Sequence, residues 1–247
     1  MSAQPAMIAT RADLDAADIA ALDWNAVEQR LNEDGFAVIN RVLSSATCES
    51  LARCYTDDTL FRSRVIMARH NFGRGEYRYF SYPLPEPIAS LRTAFYAPLA
   101  RIANSWHEAM NIETRFPATH AEFLHRCHLA SQTRPTPLLL RYVAGDYNCL
   151  HQDLYGEHVF PLQLAILLSR PQEDFTGGEF VLTEQRPRMQ SRASVVPLQQ
   201  GDAVIFAVHQ RPVRGARGHY RVNLRHGVSR LRSGIRHTAG IIFHDAR

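Results

Sequence analysis

The sequence predicts an α+β protein: an antiparallel β barrel or jelly roll supported by helices on its N-terminal side. Three observations carry this. Before about residue 130, apolar residues recur with helical period in several stretches. From Pro137 onward, short runs rich in β-branched and apolar residues alternate with Gly, Pro and Asp turns. A chain of 247 residues with 45% hydrophobic content can bury a single large core without a second domain. We therefore expect one domain over 1–247, with 1–130 as mainly helical support and 137–246 as the β core.

Asp23 can cap a helix whose Trp24, Val27 and Leu31 share one face, and Gly35 stands where a helix stop belongs. Phe36 to Asn40 then reads as a short strand. Ser44 or Ser45 opens a second helix carrying Leu51 and Cys54. Between Arg64 and Tyr82, two strand-like runs flank Gly73-Arg74-Gly75, which predicts a hairpin; without a third glycine or a βαβ setting this is no dinucleotide fingerprint. Ile88 to Met110 is helical in period, with Pro98 expected to bend or divide it. A third supporting helix is expected near His120–Leu129. The strand-like runs that follow are Leu138–Val143, Leu162–Leu168, Glu179–Leu182, Ser194–Leu198, Ala203–Val208 and His237–Phe243.

No apolar run reaches the roughly 18–20 residues of a membrane helix, and Met1 to Ala21 has no signal-like apolar stretch, so a cytoplasmic location with no membrane partner is the expectation. The four cysteines show neither CxxC pairing nor framework spacing, which reads as reduced thiols. All 28 basic residues are arginine. They cluster: residues 182–247 hold twelve Arg against three acids, whereas residues 1–60 hold four Arg against ten acids. The C-terminal quarter is thus a candidate anion-facing surface.

The sharpest chemical signal is His151-Gln152-Asp153. On an extended segment, residues two apart face one side, so an imidazole and a carboxylate can hold one cation together. A mononuclear iron(II) oxygenase needs a second imidazole and open coordination positions. Several histidines could serve; His226, 75 residues downstream, stands out because Arg236 follows it at the start of the last strand-like run. A guanidinium there can clamp a dicarboxylate bidentately. His125-Arg126-Cys127-His128 lacks the i, i+4 ligand spacing of a helical zinc site, and neither a nucleophile elbow nor a P-loop occurs.

This set resembles the 2-oxoglutarate/Fe(II) dioxygenase superfamily, in its prolyl-hydroxylase-like branch. The likeness rests on HxD, a distal His and a following Arg, on Arg141 to Tyr147, on Phe175-Thr176-Gly177-Gly178-Glu179-Phe180, and on Gln200 to Phe206. More narrowly, Gly73-Arg74-Gly75-Glu76-Tyr77, Tyr82-Pro83-Leu84-Pro85, Arg134-Pro135-Thr136-Pro137-Leu138, His151 to Glu157, Gln185 to Ser191 and Gly240 to Ala246 are similar to the bacterial Oxygenase-NA family. The resemblance implies a double-stranded β-helix and three ligands, His151, Asp153 and His226, for Fe(II). It also implies 2-oxoglutarate and O2 as co-substrates, with Arg236 as the carboxylate clamp.

Enzymes of that branch carry a tyrosine where Leu167 stands here, so another donor must serve the co-substrate: Thr238, Tyr142 or Gln163. The family implies an alkylated or damaged nucleic-acid base as substrate. Tyr77 and Tyr79 could then stack a base beside Arg74, and Arg186, Arg188, Arg211, Arg214, Arg217 and Arg221 could meet phosphates, with Arg211 to Arg221 expected near the mouth of the iron pocket. Hydroxylation of a protein or peptide side chain is the alternative, and a non-catalytic nucleic-acid-binding barrel is a reading of another class.

Overall fold

A computed structural model describes residues 13–154, 156–216 and 218–247. The chain opens with a short helix α1 (Ala16–Ala20), capped by Asp15 in a capping box with Asp18. Helix α2 (Trp24–Asp34) starts where the Asp23 carboxylate accepts the Ala26 N–H and stops at Gly35. Strand β1 (Phe36–Ile39) and helix α3 (Ser45–Cys54), capped by Ser44, follow as the sequence leads one to expect.

Strands β2 (Phe61–Ile66) and β4 (Glu76–Phe80) pair antiparallel, but a tight hairpin does not join them. A 3-10 turn at Met67–His70 and a two-residue strand β3 (Gly73–Arg74) intervene. Helix α4 (Ile88–Ala109) runs unbroken through Pro98, held by the burial of Leu91, Phe95, Leu99, Ile102 and Trp106. Each such side chain contributes about 1.5–3 kcal/mol, enough together to outweigh the proline's missing hydrogen bond. Helix α5 (His120–Leu129) lies where its period predicts it.

The remaining strands are β5 (Leu138–Val143), β6 (Tyr147–His151), β7 (Leu162–Leu167), β8 (Phe175–Gly177), β9 (Phe180–Gln185), β10 (Arg192–Val196), β11 (Ala203–Ala207), β12 (Gln210–Gly215), β13 (Gly218–Val228) and β14 (Leu231–Ile241). One sheet runs β1-β11-β7-β14-β5-β4-β2 with β8 on β14, and the other runs β10-β9-β13-β6-β3 with β12 on β13. Facing each other, they form a double-stranded β-helix, buttressed by the helices. Their shared apolar interior extends from Ile19 and Leu31 of the helices to Ile166, Ile205 and Phe243 of the sheet.

Strand boundaries shift where polar residues are buried. The run expected to end at Leu182 continues to Gln185, because Glu184 is buried and paired with Arg211 of β12. The run expected over Ser194–Leu198 ends at Val196, before Pro197, which has no N–H to give a ladder. In the arginine-rich stretch from Arg211 to Arg221, β12 pairs antiparallel with the start of β13.

Candidate active site

The site is assembled by register. His151 ends β6 and stands directly opposite His226 on β13, so both imidazoles project from the same face. The chain then leaves the sheet, and the Gln152 amide donates to the Leu224 carbonyl at 2.7 Å, turning the next residue, Asp153, inward. His151 Nε2 lies 3.4 Å from Asp153 Oδ1, and His226 Nε2 lies 3.4 Å from Asp153 Oδ2. One ligand atom from each residue falls within 4.8 Å of the others.

The tautomer of His151 follows from its neighbour. Its Nδ1 is 2.8 Å from the Cys149 carbonyl, which can only accept, so Nδ1 carries a proton and Nε2 points at Asp153: protonated it donates to that carboxylate, and unprotonated it offers its lone pair to a cation held between them. Burial works against charge on all three residues. Even so, the hydrogen bonds and charge of the imidazoles hold the Asp153 carboxyl well below the usual range. For His151, burial is overcome by the same carboxylate, and its pKa rises; for His226, burial wins and the pKa falls. Two nitrogen donors around one carboxylate call for a cation, and this donor set suits a divalent transition metal. Phe206 and Phe180 pack beside His226, with ring centroids 4.6 and 6.1 Å away.

A cleft opens from this cluster, and Arg236 lines it together with the three candidate ligands. Arg236 is fully buried on β14, directly opposite Tyr142 on β5, with its guanidinium carbon 5.8 Å from the Tyr142 and Phe175 ring centroids. Its Nη1 donates to the Thr238 hydroxyl at 2.5 Å. Among the described residues no carboxylate pairs with it, and burial lowers its pKa to about 10, so it stays charged at neutral pH. Tyr142 owes its position to Gly75: a Cβ there would come within 2.8 Å of the Tyr142 ring, and the backbone has φ +120°. Gly75 is therefore a packing requirement of the clamp as well as part of the connection between the paired strands β2 and β4.

Thr238, Tyr142 and Gln163 all line this cleft. Leu167 pairs with Thr238 across β7 and β14, and Tyr77 pairs with Leu140 on the other side of the same row, so one inward line runs Leu167, Thr238, Leu140, Tyr77. The Gln163 side chain is buried, and among the described residues its Nε2 has no hydrogen-bond partner. Tyr77 and Tyr79 form an opposite wall, in edge-on contact at 5.4 Å. Phe180 and Phe206, from two of the segments that carry the family likeness, also line it, as do Phe72 and Asn148, which no pattern in the sequence marks.

The arginines divide. Arg74 is exposed beside the cleft, 4.0 Å from Asp146. Arg211 is buried, paired with Glu184, and donates to the Asn32 and Glu33 carbonyls at the end of α2, so it is structural. Glu184 also draws in Arg186 and Arg192, and Arg221 donates to the Met110 carbonyl. Arg214 pairs with His219, seven positions and roughly 23 Å along β13 from His226, and lines a separate groove against α2 and α4. The expectation that Arg211 to Arg221 borders the mouth is thus corrected: this strand pair points away because β13 is long. Arg217 lies outside the described residues.

A family model described as an oxygenase catalysing oxidative methylation of damaged DNA matches residues 75–246. The chain belongs to the Oxygenase-NA family. An uncharacterised protein of Mycobacterium tuberculosis is 49% identical to this Oxygenase-NA chain over 167 residues, 68% of the chain and 72% of the relative. In fold, the Oxygenase-NA chain is similar to a prolyl-4-hydroxylase from Pseudomonas putida, with TM-score 0.51 and 14% identity over 91% of this chain and 99% of that one. It is also similar to a 2OG-Fe(II) oxygenase family oxidoreductase from Burkholderia pseudomallei, with TM-score 0.52 and 14% identity over 92% and 93% of the two chains. The chain thus belongs to a family of oxygenases and has the fold of the prolyl-hydroxylase-like branch. Among its described residues, no helix is long and apolar enough to cross a membrane.

Proposed function

We propose that the chain is a 2-oxoglutarate- and Fe(II)-dependent dioxygenase that hydroxylates an alkylated base of nucleic acid. One observation carries the reading: a single cleft joins a cluster of two imidazoles and one carboxylate to a buried arginine without a carboxylate partner. An isolated buried charge costs several kcal/mol, so Arg236 calls for an anionic ligand.

His151, Asp153 and His226 would hold the iron, and their donor types fit it. Bound there, iron supplies O2 activation coupled to decarboxylation of 2-oxoglutarate to succinate, with one oxygen atom inserted into a substrate C–H bond. Arg236 receives the distal carboxylate of the co-substrate, its fork oriented by the bond to Thr238. Thr238 accepts that bond and keeps its own hydroxyl proton for the same carboxylate, which compensates for Leu167. Tyr142 and the Gln163 amide are further donors on the cleft wall. Phe180 and Phe206 keep water from the metal side. Tyr77 and Tyr79 offer aromatic faces to a flat ring.

The family's description, damaged DNA, supports the substrate class. Hydroxylation of a carbon attached to a ring nitrogen gives a hemiaminal, whose C–N bond breaks to release an aldehyde. The test is turnover with Fe(II), 2-oxoglutarate and an oligonucleotide carrying one N-methylated adenine. Succinate and formaldehyde should appear in equal amounts, and neither should rise above background with the unmethylated strand. Stimulated succinate formation with proline-containing peptides alone would replace this reading with peptide hydroxylation.

A further inference from the structure

The segment from Met67 to Arg74 is a rigid bracket. Met67 is fully buried and its N–H donates to the Gly75 carbonyl at 3.0 Å, while the Phe72 N–H returns to the Met67 carbonyl at 3.2 Å. The Phe72 carbonyl then accepts the Cys149 N–H at 2.9 Å, and Gly73 pairs with Asn148. Only glycine fits there: φ is +124°, and a Cβ would lie 2.4 Å from the Tyr147 carbonyl oxygen. The bracket is thereby fastened to β6, two residues from His151.

What it presents is unusual for a loop. Phe72 is 41% exposed while lining the cleft mouth, and the His70 ring stacks behind it at 5.4 Å and 24°. Arg69, His70 and Arg74 are all exposed around it. An aromatic face backed by a second ring and flanked by cationic side chains matches the chemistry of an unpaired base with its phosphates. The arginine-rich strand pair cannot supply this, since Arg214 lines another groove.

We infer that this bracket is the single-strand platform of the enzyme: Phe72 stacks the base next to the one entering the cleft, and Arg69 and Arg74 hold the backbone. The inference rests on the nucleic-acid reading above and adds strandedness to it, because a base paired in a duplex cannot lie on Phe72 without unstacking.

The experiment is fluorescence anisotropy with a fluorescein-labelled single strand carrying one N-methylated adenine, and with the same strand annealed, over a salt series. Wild type should prefer the single strand. Phe72→Ala should weaken single-strand binding by roughly five- to 150-fold, as the loss of one stacked base does, while Phe72→Tyr restores it. The double variant Arg69→Gln, Arg74→Gln should flatten the single-strand salt slope by about 1.4 units. Thermal unfolding of each variant separates lost contact from lost fold. Equal binding of single strand and duplex, or unchanged binding by folded Phe72→Ala, would overturn the platform while leaving the nucleic-acid reading standing. No binding of either form by wild type would overturn both.

Discussion

Arg236 and Tyr142 face one another across β14 and β5, the cation lies 5.8 Å from the aromatic centroid, and among the described residues no carboxylate forms an ion pair with it. A guanidinium can grip a carboxylate with two parallel donors, whereas an ammonium offers a point charge. Arg236→Lys should raise the apparent KM for 2-oxoglutarate, and Arg236→Leu should raise it far more, by about 2–5 kcal/mol of lost binding. Titration of succinate formation against 2-oxoglutarate checks this. An unchanged KM in the Leu variant would reassign the clamp.

The triad makes a second demand. Removing any one of His151, Asp153 or His226 should abolish iron-dependent succinate formation and weaken Mn(II) binding followed by electron paramagnetic resonance. Far-UV circular dichroism should stay native, since each change removes a side chain that faces the cleft and leaves the strand backbone pairing of His151 and His226 in place. Wild-type Mn(II) affinity in His226→Ala would exclude it as a ligand.

Glu184 and Arg211 form a buried pair between β9 and β12, and Arg211 also ties down the end of α2. Breaking it from one side should be costly. Glu184→Leu should destabilise the protein by about 3–5 kcal/mol in urea unfolding, because it leaves the buried Arg211 charge without its carboxylate, and replacing both partners by apolar residues should recover part of that loss. Neither change should alter the salt slope of oligonucleotide binding, since Arg211 is buried away from any phosphate.

Acid should weaken the fold earlier than the carboxylates alone would dictate. Burial, aided by the nearby Arg92 charge, lowers the pKa of both His120 and His244 to about 4. Unfolded, each would titrate near 6.5. Their contribution is therefore complete above pH 6.5 and is lost as pH falls from about 6.5 to about 4, where only the unfolded chain takes up protons. Burial, with the Arg141 charge, lowers His237 to about 4 as well, and three such groups give a slope of at most about 4.1 kcal/mol per pH unit. Urea midpoints between pH 7.5 and 4.5 should show it, and His120→Gln should remove about a third.

The parts of this molecule legible in its sequence are those where chemistry and period coincide. The Asp23 and Ser44 caps, the α4 stripe and the apolar strands β5, β7 and β11 announce themselves, as do HxD and the distal histidine. Strand β6 does not: Tyr147-Asn148-Cys149-Leu150-His151 lines a cleft on one side, so apolar alternation is missing from the strand that matters most. β12 and β13 hide for a related reason, their arginines being occupied by Glu184 and backbone carbonyls at distant positions. Arg92, Tyr82, His128 and Gln132, which converge on Asp245 near the chain end, are equally invisible, because 113 to 163 residues separate them from it. Gln132 goes further, its Oε1 accepting the Glu157 and His158 N–H groups and so fixing the loop that follows Asp153.

The Cys149 peptide connects two surfaces. Its N–H binds the carbonyl of Phe72, and its own carbonyl takes the Nδ1 proton of His151. A strand that shifts the bracket therefore acts through two hydrogen bonds on the imidazole beside Asp153. Thermodynamic linkage makes any such coupling reciprocal: whatever factor an oligonucleotide adds to metal affinity, the metal adds to oligonucleotide affinity. A box of four equilibrium constants, measured with Mn(II) and an unmethylated single strand, gives that factor directly.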